Sequence, residues 1–341
     1  MNKQNKGYHL EKVQKELQFS GSFYARKGNE ILQGSNGFRN YAEKINNQLN
    51  TRFSIASGSK LFTSIAICKL VETGEISFTS RLKDCLDIDF PHVNDQVTIH
   101  HLLTHTSGVP DYFDEDTMDD YEALWHSRPM YRIRSPKDFL PLFQHEPMQA
   151  TVNSSFQYNN SGYILLGLIV EQIATCSFST YIEEQIFHKA GMKKSGYFEL
   201  NRLPENTALG YIEEPVGTWK TNIYSLPAKG GPDGGAYVTA EDMVLCWQAL
   251  TDYQLLSKEM TQLFLKPREV VSAEQNIYYG YCGYMELDDQ NEIVKYIQMG
   301  YDPGVNFRAV HYPTTKASVV VCSNTSEGAY ELLKEIENML T

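Results

Sequence analysis

A serine stands three residues ahead of a lysine in Ser57-Gly58-Ser59-Lys60. A serine hydroxyl is a poor nucleophile until a neighbouring base takes its proton. A lysine serves as that base only when it is desolvated, or held among cations, so that its neutral form is accessible. Read alone, the four residues fit a cap serine and an exposed lysine equally well, so partners elsewhere must decide. Three other stretches offer them. Tyr158-Asn159-Asn160 puts a phenol and a carboxamide on either side of one residue. Leu102-Leu103-Thr104-His105-Thr106-Ser107-Gly108 precedes it, and Gln298-Met299-Gly300-Tyr301-Asp302-Pro303-Gly304 follows near the end.

These residues need elements to hold them. After the serine, Leu61, Phe62, Ile65, Ala66 and Leu70 recur at helical spacing. The spacing predicts a buried helix to about Glu72, closed by Gly74. Ser57 then lies at or near the first turn, with Lys60 over the same face one turn on. The helix start aims N–H groups at negative charge forming near Ser57. Tyr163 to Ile173 reads as a strongly apolar helix entered through Tyr158-Asn159-Asn160. Residues 8–18 form an amphipathic helix, with Leu10, Val13 and Leu17 on one face. Phe19 to Phe38 reads as a hairpin turning at Lys27-Gly28-Asn29.

Between the two lies a helix-rich span. Ile99 to Gly108 is a short helix ended by glycine. Ser135 to Gln144 is a helix opened by Pro136, and Phe178 to Phe187 is another. Asp111 to Glu122 reads as a solvated acidic loop, and the tyrosine-rich segment 112–131 as a cleft lid or plain surface. Gly230 to Gly235 is a glycine-rich turn in which Asp233 is a turn residue before a cleft lining. Strands follow at Tyr278–Met285, Glu292–Met299, Asn306–Tyr312 and Ala317–Cys322, then a helix over Glu327–Leu340. The fold class is therefore α/β of the α+β kind. An antiparallel sheet from the N- and C-terminal segments is flanked by helices, with a mostly helical inserted lobe. One catalytic domain spans 1–341, as a sheet lobe (1–78 plus 230–341) and a helical lobe (79–229).

Several function classes are excluded by composition. A formal charge of −12 over 341 residues suits neither nucleic acid nor an anionic membrane surface. No segment approaches the ~20 apolar residues of a membrane span. No apolar run follows the basic residues at the N-terminus, so no signal peptide is expected and the expected location is the cytoplasm. The six cysteines form no Cys-x-x-Cys pair and read as free thiols in a reducing compartment. His101 and His105 stand four apart with His100 adjacent, yet no acid stands between them as in His-Glu-x-x-His. No metal and no cofactor is expected. The oligomeric state is left open.

In order and spacing these motifs resemble the serine β-lactamase and penicillin-binding-protein superfamily, from about Phe19 to Cys322. The match is closest to the branch of class C β-lactamases, D-Ala-D-Ala carboxypeptidases, D-aminopeptidases and related esterases. The resemblance implies that Ser57 is the acylated nucleophile and that Lys60 and Tyr158 share the proton work. A tyrosine is a useful base only where cations favour its phenolate or act in concert with it. Asn160 is expected to bond the bound acyl group and to fix Lys60. The N–H groups of Ser57 and Tyr301 are expected to form the oxyanion hole.

One position departs from the pattern. The third motif, Gln298-Met299-Gly300, carries glutamine where the family has Lys-Thr-Gly or His-x-Gly, in a register set by Pro303-Gly304. Glutamine donates hydrogen bonds but carries no charge, so a substrate carboxylate loses its cation. Arg308 is another source of charge nearby. With Gln298, Gly300 and Tyr301 as substrate-binding residues beside Asn160, the implied activity is acyl-enzyme hydrolysis of a small ester, amide or short peptide. The alternatives are a D-amino-acid peptidase or β-lactamase proper, and a non-catalytic peptide-binding relative.

Overall fold

Ala317–Ser323 is buried at every position, the pattern of a strand covered on both faces. It is the meeting point of the two ends of the chain. The computed structural model describes residues 3–215 and 217–340. Its large sheet has eight antiparallel strands: β1 (Gly21–Lys27), β2 (Glu30–Asn36), β3 (Glu269–Ser272), β4 (Ile277–Gly280), β5 (Gly283–Leu287), β6 (Ile293–Asp302), β7 (Val305–Tyr312) and β8 (Ala317–Ser323). Their order across the sheet is β2-β1-β8-β7-β6-β5-β4-β3. The N-terminal hairpin thus docks on the last strand, with Phe23 opposite Val321 and Ala25 opposite Val319.

Helices cover both faces. On one, α1 (Lys3–Glu16) and the C-terminal helix Ala329–Leu340 bury Leu10, Val13, Leu332 and Ile336 against Val319 and Val321. On the other lie α2 (Lys60–Glu72), α3 (Ile99–Leu103), α4 (Asn160–Ala174) and α5 (Ala240–Thr251), in one core with Val320 and Cys322. Every residue of α4 from Asn160 to Val170 is buried. No single helix among the described residues is long and apolar enough to cross a membrane.

Several elements differ from expectation. The Tyr278–Met285 strand is two strands joined at Tyr281-Cys282. The segment 135–144 is a 3₁₀ turn, Pro136–Leu142, because Pro141 within it cannot donate to a helical ladder. Phe178–Phe187 changes from α-helix to a π-turn at Glu183. Glu269–Ser272 and the hairpin Tyr211–Glu214 with Thr218–Thr221 were missed. Both carry charged or exposed residues that weaken the strand signal.

Candidate active site

Ser57 sits on a 3₁₀ turn, Ala56–Ser59, that feeds directly into α2. Ala56 has φ +44°, a left-handed conformation disfavoured for a residue with a Cβ. The turn is clamped to keep it there. Gly235 N–H donates to Ala56 O at 3.1 Å, Ile55 N–H to Ala236 O at 3.0 Å, and Ser59 Oγ to Ala56 O at 2.8 Å. Across the turn lies β6. A Cβ on Gly300 would stand 2.0 Å from Ile55 O, so only glycine lets the strand approach this closely.

Lys60 is 4% exposed. Its Nζ donates to Ser57 Oγ (3.1 Å), Asn160 Oδ1 (2.7 Å) and Asp233 O (2.8 Å). Three donors meet three acceptors, which fixes the nitrogen beside the hydroxyl. Nζ also lies 4.8 Å from the centre of the Tyr158 ring. Burial lowers the Lys60 pKa, while Asp233, Glu115, Asp111 and Asp302 pull it back up.

Of the two ways for Tyr158 to share the proton work, a phenolate favoured by cations or action in concert with them, the surroundings favour the second. Burial holds its hydroxyl well above the ordinary tyrosine value, Glu115 and Tyr284 add to that, and a hydrogen bond with the Ser57 side chain opposes it. At neutral pH it is a phenol, able to pass a proton and not to hold a charge. Its loop is pinned by His105, 1% exposed with φ +57°. His105 Nδ1 accepts from Asn159 N–H at 3.0 Å, so Nε2 carries the proton toward Tyr279 OH at 3.1 Å. Burial, reinforced by Lys60, holds this imidazole neutral. The neighbouring histidines have local tasks: His101 Nδ1 closes the capping box at Thr98, and His100 Nδ1 meets Tyr281 OH at 2.9 Å.

Asn160 is committed to the protein at both ends of its carboxamide. Beyond Lys60, its Nδ2 donates to Phe113 O at 3.1 Å and lies 3.4 Å from Glu115 Oε1. It therefore holds the lysine and has little left for an acyl group. Asp111 accepts from Asn160 N–H (3.0 Å) and Ser161 N–H (2.9 Å) at the start of α4, and burial pushes its carboxyl up to about 7. The segment from Asp111 is a wall at its start, where Tyr112 is 5% exposed and hydrogen-bonds the Asp233 carboxylate, and an exposed acidic loop from Glu115 to Asp120. Asp233 is correspondingly a cleft residue and not a plain turn residue.

Gln298, expected among the substrate-binding residues, is 5% exposed and lines a small recess shared with Ser57, Lys60 and Tyr158, its carboxamide bonded within the protein. Its Oε1 accepts from Trp247 Nε1 (3.1 Å) and its Nε2 donates to Cys282 O (3.0 Å). It replaces the family cation with a strut between β6, α5 and the β4–β5 turn. Tyr301 does line the cleft and is 62% exposed. Strand β5 pairs with β6 only as far as Ile297, so the edge of β6 from Gln298 onward opens on the Ser57 turn. The cleft holds about 510 Å³ and is bordered by Ser57, Tyr158, Asn160, Asp233, Gly300 and Tyr301 among others.

Sequence reading singles out the His105 run, ranks Asp233 as a turn residue ahead of a cleft lining, and gives Tyr112 and Asp302 no role of their own. Only His105 had a local signal, the Thr-His-Thr-Ser-Gly run. Tyr112 and Asp233 acquire each other from distant parts of the chain, and Asp302 is brought to the cleft by its strand.

Known proteins resemble this chain in sequence and fold. The Beta-lactamase family model matches residues 13–335. Penicillin-binding protein 4* of Bacillus subtilis (strain 168) is 30% identical, over 99% of this chain and 77% of its own. The crystal structure of a penicillin-binding protein from Bacillus halodurans superposes with a TM-score of 0.93 at 52% identity, covering 97% of this chain and 100% of that one. The D-amino acid amidase of Ochrobactrum anthropi SV3 shares the fold, with a TM-score of 0.82 at 19% identity and 99% of both chains covered. With sequence and fold matched almost from end to end, this chain belongs to the Beta-lactamase family and is a serine hydrolase of the β-lactamase and penicillin-binding-protein superfamily.

Proposed function

We propose that the protein hydrolyses a small ester or amide through an acyl-enzyme on Ser57. The observation that carries this reading is the 3.1 Å contact between Lys60 Nζ and Ser57 Oγ, made by a lysine whose other two donors are fixed. Neutral Lys60 takes the Ser57 proton as Oγ attacks the substrate carbonyl. The N–H groups of Ser57 and Tyr301 receive the oxyanion. The Tyr158 phenol relays the proton to the leaving oxygen or nitrogen as the bond to it breaks. Water then attacks the acyl carbon by the reverse relay, and Ser57 regains its proton.

A neutral ester or amide fits better than a β-lactam or a D-Ala-D-Ala peptide, because Gln298 supplies no cation for a carboxylate. The D-amino-acid peptidase is the second reading, favoured by the resemblance of fold to an amidase. Small molecules or short peptides match a cleft of this volume. Two further assignments complete the proposal. The cleft divides a sheet lobe, 1–78 with 230–341, from a helical lobe, 79–229. The cysteines, all of them free, suit a reducing cytoplasm.

Ser57→Ala tests the proposal. Hydrolysis of p-nitrophenyl butyrate should fall by on the order of 10³-fold or more, with the circular dichroism spectrum retained. An unchanged rate contradicts it.

A further inference from the structure

Behind Lys60 and Tyr158 lies a buried series of hydroxyls that the acyl-transfer scheme leaves unused. Tyr279, on β4, is 2% exposed, and Tyr163, on α4, is 1% exposed. The Tyr279 hydroxyl lies 3.1 Å from His105 Nε2 and 3.3 Å from Tyr163 OH. Tyr163 OH lies 3.1 Å from Ser64 Oγ on α2 and 3.3 Å from Leu103 O at the end of α3. The series thus ties the sheet to α2, α3 and α4.

The direction of each bond is forced. A backbone N–H only donates, so His105 Nδ1 accepts from Asn159 and carries no proton. The neutral imidazole then has its proton on Nε2, with Tyr279 OH as its acceptor. Having accepted, Tyr279 places its own hydrogen on Tyr163 OH. Tyr163 donates in turn to Ser64 Oγ or Leu103 O. The other tautomer would set two N–H groups against each other across 3.0 Å. An imidazolium would do the same, with the charge of Lys60 acting against it.

These groups stand directly against the reacting ones. The His105 ring lies 4.5 Å from the Tyr158 ring and 5.1 Å from the Tyr163 ring, centre to centre. Lys60 Nζ lies 4.8 Å and 5.5 Å from the centres of the same two tyrosines. Asn159, whose N–H His105 holds, is the residue between Tyr158 and Asn160. A shift of His105 therefore displaces both. Tyr279 has no hydrogen bond to Ser57, Lys60 or Tyr158 among the described residues, so its hydroxyl acts through His105.

We propose that Tyr279 is a positioning residue for acyl transfer: by accepting from His105 it fixes the tautomer that holds Asn159, and with it Tyr158 and Asn160, beside Lys60. Without that hydroxyl a buried N–H has no acceptor, a costly state that is relieved by turning His105 off Asn159. This rests on the acyl-transfer reading of Ser57 given above.

The test is a double-mutant cycle read on p-nitrophenyl butyrate. Tyr279→Phe keeps the ring and removes the hydroxyl. It should lower kcat by about tenfold and change KM by less than about twofold, because Tyr158 works in the transition state. His105→Asn tolerates φ +57° and keeps an acceptor for Asn159, but is too short to reach Tyr279. In that background Tyr279→Phe should cost no further activity. Wild-type kcat in Tyr279→Phe, or losses that multiply in the double variant, overturn the assignment. A second measurement does not depend on a Tyr279 variant folding. In ¹⁵N-histidine NMR of the wild type, His105 should hold its proton on Nε2 and should not titrate between about pH 5 and 9. A proton on Nδ1, or an imidazolium at neutral pH, overturns the proposal. A wild type inert to p-nitrophenyl butyrate contradicts the acyl-transfer reading instead, and the tautomer alone then decides whether Tyr279 holds His105.

Discussion

At Lys60 the proposed chemistry turns on one proton. Burial lowers its pKa from the ordinary lysine value, so its neutral form becomes accessible at a lower pH than for a lysine in water. The sign follows: activity needs the neutral amine, so kcat/KM rises with pH through the depressed Lys60 pKa and is lost below it. Tyr158 titrates in the other direction, well above the usual tyrosine value, and leaves that rising limb to Lys60. Lys60→Arg, which stays charged throughout, should remove the limb and lower kcat/KM by about 10²–10⁴-fold, as read from a pH–rate profile. Ser57 and Lys60 could be paired in sequence because their three-residue spacing at the start of one apolar helix stacks them, whereas Tyr158, ahead of a different helix, was carried by the resemblance. Asp233 and Asp302 were not legible. Asp233 takes its partner from Tyr112, 121 positions away, and Asp302 reaches the cleft on a strand face that only the sheet defines. Gln298 was legible as a chemical departure, but its direction depends on Trp247, which lies on α5 51 positions away.

Among elements, the junction of the Ser57 turn with β6 is the most constrained. The turn holds Ala56 in a left-handed conformation, and the strand presses against it through Gly300. Gly300→Ala forces a Cβ to within 2.0 Å of Ile55 O unless turn and strand separate. The expected cost is about 1–3 kcal/mol of stability, read as a lower Tm. The same separation shifts β6, and with it the Tyr301 N–H proposed for the oxyanion hole, away from the Ser57 turn and should lower kcat more than it raises KM. A variant with wild-type Tm and kcat would contradict this account of the junction. The main elements could be anticipated wherever periodicity was strong, as in α2, α4 and the last strands. They were missed where an edge strand carried charge, as at Glu269, or where proline broke the helix geometry, as at Pro141.

Over the whole molecule, the order of elements determines where the cleft lies. The strands from 21–36 and 269–323 form one sheet, and the long segment between returns to it at the turn carrying Ser57. That topology was foreseeable from strand-rich ends and a helix-rich middle. The acidic lining of the cleft was not, since a net charge of −12 does not say which carboxylates face inward. The central claim is that Ser57 carries the acyl group, and intact-protein mass spectrometry after exposure to a fluorophosphonate tests it most directly. One adduct per chain is predicted, mapped by digestion to the peptide containing Ser57 and absent in Ser57→Ala. No adduct on the folded wild type, or equal labelling of Ser57→Ala, would contradict the account.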